Sequence, residues 1–159
     1  MIGNYNIASV YVQVDELDSA LLFLEKSYEA FSHINYMLYP YIYHVYPGWY
    51  NLRAQIYLKK NRPDLALNDL QSSLRMTLKN EDYVLTANTY NDLAAFYKTT
   101  DHQDSSIFYA EQAVIFAKKT AYSQGILNAS SILAEQYEEI DPGMALQFYK
   151  IASETRNSL

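Results

Sequence analysis

The phrase Ala-x-x-Tyr occurs four times in this chain, at intervals typical of a stacked-repeat protein. It stands at Ala8-Tyr11, Ala54-Tyr57, Ala94-Tyr97 and Ala134-Tyr137. Successive tyrosines are 46, 40 and 40 residues apart, and a period in that range indicates repeated helical pairs. Further small residues follow each phrase, at Ala20, Ala66, Ser106 and Ala145, and then at Ser27, Ser73, Ala113 and Ala152. Because small residues let two helix backbones approach closely, the pattern predicts four helical hairpins.

The residues around these phrases resemble the tetratricopeptide repeat (TPR) family, whose pattern places an aromatic residue, a leucine, a small residue and a tyrosine on one helix. The third copy fits well, with these slots and the later small slots filled by Tyr90, Leu93, Ala94, Tyr97, Ser106 and Ala113. The second copy departs from the pattern, since Arg53 stands in the leucine slot. The resemblance covers essentially the whole chain. It implies an all-α fold, a right-handed α-solenoid of four TPR-like helical hairpins with about eight helices.

Turn residues divide the chain into these hairpins. The helix pairs are predicted at 2–14 and 17–36, 48–60 and 64–78, 81–99 and 103–119, and 122–140 and 142–155. Pro63 and Pro142 suit first helical positions, where the missing N–H of proline does no harm. We expect a single repeat domain over 1–159. Its repeats fall at about 1–36, 47–80, 81–120 and 121–155, with a tyrosine-rich insertion at 37–47.

Charge and composition exclude several classes of partner and site. The formal net charge of −6 disfavours nucleic acid, which a basic face would bind. The chain has no cysteine, so disulfides and thiolate metal sites are excluded. No stretch approaches the roughly 20 apolar residues that span a bilayer, and residues 1–13 lack the basic cluster and apolar run of a secretion signal. We expect no direct membrane insertion by this segment.

Residues that can carry catalysis or hold a metal do not form a recognisable site. The four glycines stand alone in the sequence, so no phosphate-binding loop is present. His33, His44 and His102 lack the helical spacing of a metal site. Asp101, His102 and Ser105 fall at a turn between helices, and helix capping explains them better than a catalytic triad does. We therefore predict no enzymatic activity, no catalytic residues, no metal and no cofactor.

The TPR resemblance places a groove for a protein or peptide on the first helix of each hairpin, which lines the concave face of such a stack. The groove residues flank the Ala and Tyr slots. By this correspondence they are Tyr5, Asn6, Ser9, Val12 and Gln13 in the first repeat; Asn51, Gln55 and Lys59 in the second; Asn88, Asn91, Asp92, Ala95 and Lys98 in the third; and Asn128, Ser131, Glu135, Glu138 and Glu139 in the fourth.

Asparagines recur along this predicted groove, at Asn6, Asn51, Asn91 and Asn128. An asparagine amide both donates and accepts, so a row of them can hold the backbone of an extended peptide without reading its side chains. The alternative is that a solvated concave face simply tolerates polar residues. The three glutamates predict a negative patch in the fourth repeat, while Lys59 and Lys98 predict a more positive middle. A ligand should therefore place basic groups beside the fourth repeat.

The stretch 36–50 is rich in aromatic residues and offers an alternative binding surface. Tyrosine and tryptophan are favoured in binding sites, and the candidate patch comprises Tyr39, Tyr41, Tyr43, Tyr46 and Trp49. The other interpretation is that these rings pack over the junction between the first two hairpins, as aromatic clusters usually do.

Long-period, tyrosine-rich repeats of this kind are also similar to the sensor regions of bacterial two-component histidine kinases, and to stacks attached to bacterial transcription regulators. The segments 106–113 and 145–150 carry this resemblance. It implies a protein- or peptide-binding module in the ligand-sensing region of a bacterial signal-transduction protein, as a piece of a longer chain. The alternatives are a passive scaffold for complex assembly and the interaction domain of a transcription regulator.

The ends of the array carry a further expectation. Repeat arrays need polar caps, and the first and last repeats lack them, so we expect a homodimer that forms through the repeat ends. The sequence leaves the compartment open. The resemblance implies the periplasm for the sensor region of a membrane-bound kinase, and the cytoplasm otherwise.

Overall fold

The computed structural model describes residues 2–32 and 45–159, and these residues form eight α-helices. In chain order the helices are α1 (Ile2–Gln13), α2 (Leu17–Ser32), α3 (Val45–Lys59), α4 (Pro63–Lys79), α5 (Tyr83–Thr99), α6 (Gln103–Lys119), α7 (Ser123–Tyr137) and α8 (Pro142–Asn157). No described residue lies in a β-strand. The predicted all-α fold of paired helices is confirmed.

Two compact units divide the chain, Met1–Asn80 (unit 1) and Glu81–Leu159 (unit 2). Unit 1 contains the hairpins α1–α2 and α3–α4, and unit 2 contains α5–α6 and α7–α8. The four hairpins therefore occur in the predicted order, two in each unit.

The alanines of the repeated phrase lie where helices pack together, as predicted. Their exposed fraction is 2% or less at each of Ala8, Ala54, Ala94 and Ala134. The small residues that follow on the second helices are equally buried at Ala20, Ala66 and Ser106. In unit 2 the Ser106 hydroxyl donates to the backbone oxygen of Ala94 at 2.9 Å, which links α6 to α5. Small side chains thus allow close helix contacts.

The tyrosine of the phrase stacks on an aromatic ring of the second helix in three hairpins. Ring centroids are 5.5 Å apart between Tyr11 and Phe23, 5.3 Å between Tyr97 and Tyr109, and 5.9 Å between Tyr137 and Phe148. Such offset stacks add to the stability that burial provides. In the second hairpin the equivalent position, twelve residues after Tyr57, holds Asp69.

Three hairpins turn at the same place relative to that tyrosine. Each turn contains one residue with a positive φ, at Asp15 (62°), Asn61 (57°) and Asp101 (60°). The following N–H donates to the tyrosine carbonyl at 2.8–2.9 Å, in the pairs Glu16–Tyr11, Arg62–Tyr57 and His102–Tyr97. This is the Schellman ending of a helix. Asparagine and aspartate tolerate the left-handed conformation, so these turns close without glycine.

Most helix bounds lie within three residues of the predicted ones, and two of them need correction. Helix α3 begins at Val45 rather than Gly48, so residues 45–47 of the predicted insertion are helical. Pro47 falls in the first turn of α3. The backbone N–H groups of a first turn have no partner within the helix, so a proline there costs no hydrogen bond. Helix α7 ends at Tyr137 rather than at 140. The predicted end of α2 at 36 and the remainder of the insertion lie outside the described residues.

Candidate functional site

A groove between α5 and α7 of unit 2 brings several predicted site residues together. It encloses about 370 Å³. The two helices supply most of its lining, and α8 adds one side chain: Asn91, Asp92, Ala95, Leu127, Asn128, Ser131, Ile132 and Arg156. We call this the α5–α7 groove. Sequence reasoning missed Arg156, because it considered only the first helix of each hairpin, whereas this long side chain reaches the groove from the second.

Asn91 is the most constrained polar residue of the α5–α7 groove. It is 6% exposed, and its Nδ2 donates to the backbone oxygen of Gly125 at 3.1 Å. Because a carbonyl oxygen accepts hydrogen bonds and cannot pair with another acceptor, the Asn91 amide must turn its Nδ2, and not its Oδ1, toward Gly125. The Oδ1 atom is buried and accepts no hydrogen bond from the described part of the chain. Asn91 therefore carries a buried acceptor beside a cavity.

Asn128 lies on the opposite wall, on α7, and is exposed. Its Oδ1 accepts a hydrogen bond from Gln124 Nε2 at 2.8 Å, so its Nδ2 can donate to a ligand. The hydroxyl of Ser131, one turn further along, donates to the backbone oxygen of Leu127 at 2.9 Å. The groove thus presents a donor on α7, and the α5 acceptor, Asn91 Oδ1, lies buried in the opposite wall.

The asparagines predicted as a row occupy different positions in their repeats. Asn51 and Asn91 both precede the phrase tyrosine by six residues, and both are buried. Asn6 precedes its tyrosine by five residues and is exposed. One residue rotates a helical position by about 100°, so Asn6 belongs to another face. Asn128 precedes its tyrosine by nine residues, one turn away from the position of Asn91.

The charged groove residues form ion pairs and hydrogen bonds that the sequence did not reveal. Lys98 and Glu135 form an ion pair between α5 and α7. Lys59 pairs with Asp15 within unit 1, at 2.8 Å from Nζ to Oδ1. The Glu138 carboxylate accepts a hydrogen bond from the Tyr149 hydroxyl. The predicted positive middle and negative end are therefore partly neutralised by these contacts. Both glutamates that follow α7, at 138 and 139, are exposed.

The remaining predicted groove residues do not line the α5–α7 groove. Tyr5 is half-buried, and its hydroxyl donates to the backbone oxygen of Gly48 at 3.4 Å. Gln55 on α3 is exposed, and Asn88 on α5 is half-buried. Ser9 is half-buried and Gln13 is exposed, whereas Val12 is buried in the hydrophobic core of unit 1, so its assignment to the groove was wrong.

Two residues of the alternative aromatic patch are described, and both are buried. Trp49 is 3% exposed and Tyr46 is 9% exposed. The Trp49 Nε1 donates to the backbone oxygen of Leu24 at 2.9 Å, so the indole joins α3 to α2. Tyr39, Tyr41 and Tyr43 lie outside the described residues. The described rings thus match the alternative interpretation, in which aromatics pack between the first two hairpins.

A second cavity adjoins these rings in unit 1, with a volume of about 360 Å³. Helices α2 and α3 line it, through Glu25, Tyr28, Glu29, Trp49, Tyr50 and Arg53. We call this the aromatic cavity. Its glutamates were not predicted as site residues, because their spacing on α2 indicates only an exposed helix face.

Arg53 is one of the residues that line the aromatic cavity. In the sequence it stands out only because it replaces the leucine of the repeat pattern. Its guanidinium carbon is 4.1 Å from the Trp49 ring centroid. Its Nε and Nη2 donate to the two carboxylate oxygens of Asp69 on α4, at 2.7 and 2.6 Å. Burial lowers the pKa of Arg53, but the hydrogen bond and the charge of Asp69 outweigh that effect and raise the pKa above its ordinary value. Arg53 therefore stays charged.

Within 2–32 and 45–159, no group of three or more histidine, aspartate or glutamate side chains is arranged to hold a metal ion. None of the helices over the same residues is both long and apolar enough to cross a bilayer. His33 and His44 lie outside the described residues.

Comparisons with known proteins give a likeness to solved structures and none to a family model or a curated protein. No protein-family model matches the chain, and no curated protein matches it. Among solved structures, the crystal structure of BtubC (BKLC) from P. vanneervenii is similar, with a TM-score of 0.75 and 17% sequence identity. The similarity covers 96% of this chain and 60% of that one. At this identity the likeness supports the helical fold alone, and this chain spans only about 60% of the length of that one.

Proposed function

We propose that this chain is a protein- or peptide-binding helical-repeat module, and that its ligand lies in the α5–α7 groove. The observation that carries the proposal is the buried Asn91 Oδ1, which has no donor among the described residues. A buried acceptor left unsatisfied costs about 1–3 kcal/mol. Asn91 lines the groove, so a small rotation of its side chain that exposes Oδ1 lets a ligand N–H relieve this cost, and we expect the groove to favour ligands that bring a donor there.

The two walls together match the polar pattern of a peptide backbone. Asn91 accepts on one side and Asn128 can donate on the other, as the two groups of an extended peptide unit require. A volume of about 370 Å³ holds a few residues of an extended segment rather than a folded element. Because the groove would recognise the backbone of the peptide, the binding affinity should depend only modestly on the side chains of the ligand.

The test uses peptides selected from a phage library of short random sequences, followed by surface plasmon resonance on the synthetic peptides. We expect Asn91→Ala to speed ligand release about fivefold or more, since about 1 kcal/mol of hydrogen bonding is lost. Asn128→Ala should act in the same direction. Asn88→Ala is the matched control, because Asn88 lies on the same helix one turn earlier and does not line the groove.

Binding that is equally insensitive to all three substitutions would place the ligand elsewhere. Circular dichroism and thermal melting of each variant separate this outcome from misfolding, since Asn91 also holds the Gly125 carbonyl.

A narrower role, as the ligand-sensing region of a two-component sensor histidine kinase, rests on the sequence resemblance. The alternatives are a passive scaffold for complex assembly and an interaction domain of a transcription regulator. A sensing role predicts that the selected peptide changes the activity of an attached output domain, whereas a scaffold predicts binding without such a change.

A further inference from the structure

The Lys98–Glu135 ion pair crosses from α5 to α7 one turn beyond the lining of the α5–α7 groove. The described lining reaches Ala95 on α5 and Ile132 on α7. Lys98 and Glu135 follow these two residues by three positions, a spacing that places side chains on the same helix face. The ammonium and the carboxylate form their ion pair there. The pair therefore lies across one end of the groove, between the two helices that form its walls.

The backbone beside each member of the pair is held by contacts with α6. Next to Lys98, the Tyr97 ring stacks on an aromatic ring of α6, with 5.3 Å between centroids and an interplanar angle of 4°. Next to Glu135, the backbone oxygen of Gln136 accepts a hydrogen bond from Gln103 Nε2 of α6 at 2.9 Å. The pair can therefore open through rotation of its two side chains, without separation of the helices.

The pair is weak enough for a ligand to displace, at a measurable cost in affinity. The side chains of Lys98 and Glu135 are 38% and 46% exposed, so water and dissolved salt screen their attraction. Because exposed pairs of this kind contribute little to stability, a ligand that displaces one loses about fivefold or less in affinity. A ligand that stops short of the pair avoids this loss.

The length of the groove determines how much of a peptide fits before the pair. The lining on α7 runs from Leu127 to Ile132, which spans about 7–8 Å at a rise of about 1.5 Å per residue. An extended peptide rises about 3.3 Å per residue. About two or three peptide residues therefore fit along the groove before the chain meets the pair.

We propose that the Lys98–Glu135 pair is the end stop of the α5–α7 groove and limits its ligand to a short extended segment. This inference rests on the proposed function, because it specifies which peptides the groove takes. A longer segment binds only by displacing the pair, so its affinity should rise when the pair is removed. The pair thus selects ligands by length, whereas the asparagines of the groove recognise the peptide backbone.

The probes are the phage-selected peptides whose release is accelerated by Asn91→Ala. Each is synthesised with capped ends in three forms: its shortest binding core, and that core extended by three alanines at the N-terminus or at the C-terminus. Isothermal titration calorimetry measures their affinities. We expect one of the two extensions to weaken binding to the native chain about two- to fivefold, because the added residues meet the pair. The other extension leads away from the pair and should leave the affinity unchanged.

Two double variants test whether the pair causes this weakening. Lys98→Met/Glu135→Gln removes both charges and retains side chains of similar length, so the unfavourable extension should bind as well as the core. The control Lys150→Met/Glu154→Gln removes an exposed lysine–glutamate pair from α8, and neither residue lines the groove. The control should show the same weakening as the native chain.

Salt provides an independent measurement. Higher salt screens an exposed ion pair, so it should reduce the effect of the unfavourable extension in the native chain. It should not alter the relative affinities of the three peptides for Lys98→Met/Glu135→Gln.

Equal affinities of the core and both extended peptides for the native chain would overturn the proposal. So would a weakening that persists in Lys98→Met/Glu135→Gln, or one that also disappears in the control. Failure to select any peptide sensitive to Asn91→Ala is a different outcome, because it contradicts the proposed function itself and this inference with it. Circular dichroism of each variant verifies that its helices are intact.

Discussion

Arg53 and Asp69 join α3 to α4 through two parallel hydrogen bonds, 2.7 Å from Nε to Oδ2 and 2.6 Å from Nη2 to Oδ1. Arg53 occupies the leucine slot of its repeat, and Asp69 occupies the position at which Phe23 and Tyr109 stack on their tyrosines. The second hairpin therefore replaces an apolar residue and an aromatic residue by a pair of opposite charges.

We expect Asp69→Ala to lower the free energy of unfolding by about 2–4 kcal/mol, because Arg53 is left partly buried without its partner. Asp69 has only 7% of its side chain exposed, and Arg53 has 27%, so solvent screens the pair incompletely. Urea denaturation measures the effect. The double variant Arg53→Leu/Asp69→Tyr, which copies Leu93 and Tyr109 of the third repeat, should regain most of the loss. A loss of less than about 0.5 kcal/mol in Asp69→Ala would mean that the pair is a surface contact.

The helical pairing could be predicted from the sequence because it depends on local, repeated features. Buried alanines at a fixed offset from a tyrosine mark each hairpin, and Asp15, Asn61 and Asp101 mark its turn by their tolerance of positive φ. The start of α3 was missed because Pro47 was taken as the end of the insertion that precedes the helix. A proline in the first helical turn gives the same sequence signal as one before a helix.

The candidate site could be predicted only in part, because it depends on contacts between helices. The family pattern placed Asn91 and Asn128 on lining helices, and both line one groove. The bond from Asn91 to Gly125, the Lys98–Glu135 pair and the reach of Arg156 each need the spatial arrangement of two helices. No periodicity within one helix encodes such partners.

Gly125 is a position where a side chain does not fit. A Cβ there would lie 2.5 and 2.9 Å from two ring carbons of Tyr122 and 3.1 Å from the Ala117 Cβ. Gly125→Ala should therefore destabilise unit 2 by about 1–3 kcal/mol through overpacking. Gly3→Ala is the control, since a Cβ at that helical position meets no atom of the described residues within 4 Å. It should stabilise the chain by less than about 0.5 kcal/mol, because Gly3 lies in the first turn of α1 and glycine has its full cost only in the middle of a helix. Thermal melting of the two variants should give shifts of opposite sign.

Ala121 adopts a φ of 51° between α6 and α7, and the next N–H, of Tyr122, donates to the Ala117 oxygen at 2.9 Å. The left-handed conformation is costly for alanine and not for glycine. After allowance for the greater entropy of unfolded glycine, Ala121→Gly should raise the free energy of unfolding by about 0.5–1 kcal/mol. Asp101→Gly is the matched change at a turn with φ of 60°. The free energy of unfolding should rise less in Asp101→Gly than in Ala121→Gly, since aspartate tolerates the left-handed conformation better than alanine does. A loss of stability in Ala121→Gly would contradict the argument.

Tyr90 and Tyr97 of unit 2 both stack on Tyr109, and this arrangement predicts that the stability of the fold falls at alkaline pH. Burial raises the pKa of Tyr90 and of Tyr97 above the ordinary 10.0, and the nearby Tyr109 raises both further. The unfolded chain then loses these protons first as pH rises. The stabilisation is complete below about pH 10 and declines above it until the folded tyrosines ionise. Urea denaturation between about pH 8 and pH 11.5 should show this decline. Tyr109→Phe should make it shallower, and an unchanged slope would refute the role of Tyr109.

An apolar stripe on α1 predicts self-association. Ile7 and Val10 on α1 are 40% and 57% exposed, and Val14, directly after α1, is 61% exposed. Their spacing of three and four residues places them along one side of the helix and its last turn. Beside them lies a shallow cavity of about 410 Å³ lined by Asn6, Ile7, Val10 and Tyr11. We expect this face to pair with the same face of a second copy about a twofold axis, which buries both stripes.

The measurement is sedimentation equilibrium over a range of protein concentrations. Val10→Asp should weaken the dimer about tenfold or more, because it brings a charge into each half of the contact. Ile115→Asp on α6 is the matched control, since Ile115 is also half exposed, at 48%, and belongs to unit 2. It should leave the dimer unchanged. A monomer at all concentrations, or equal effects of the two substitutions, would show that the α1 stripe is not a dimer interface.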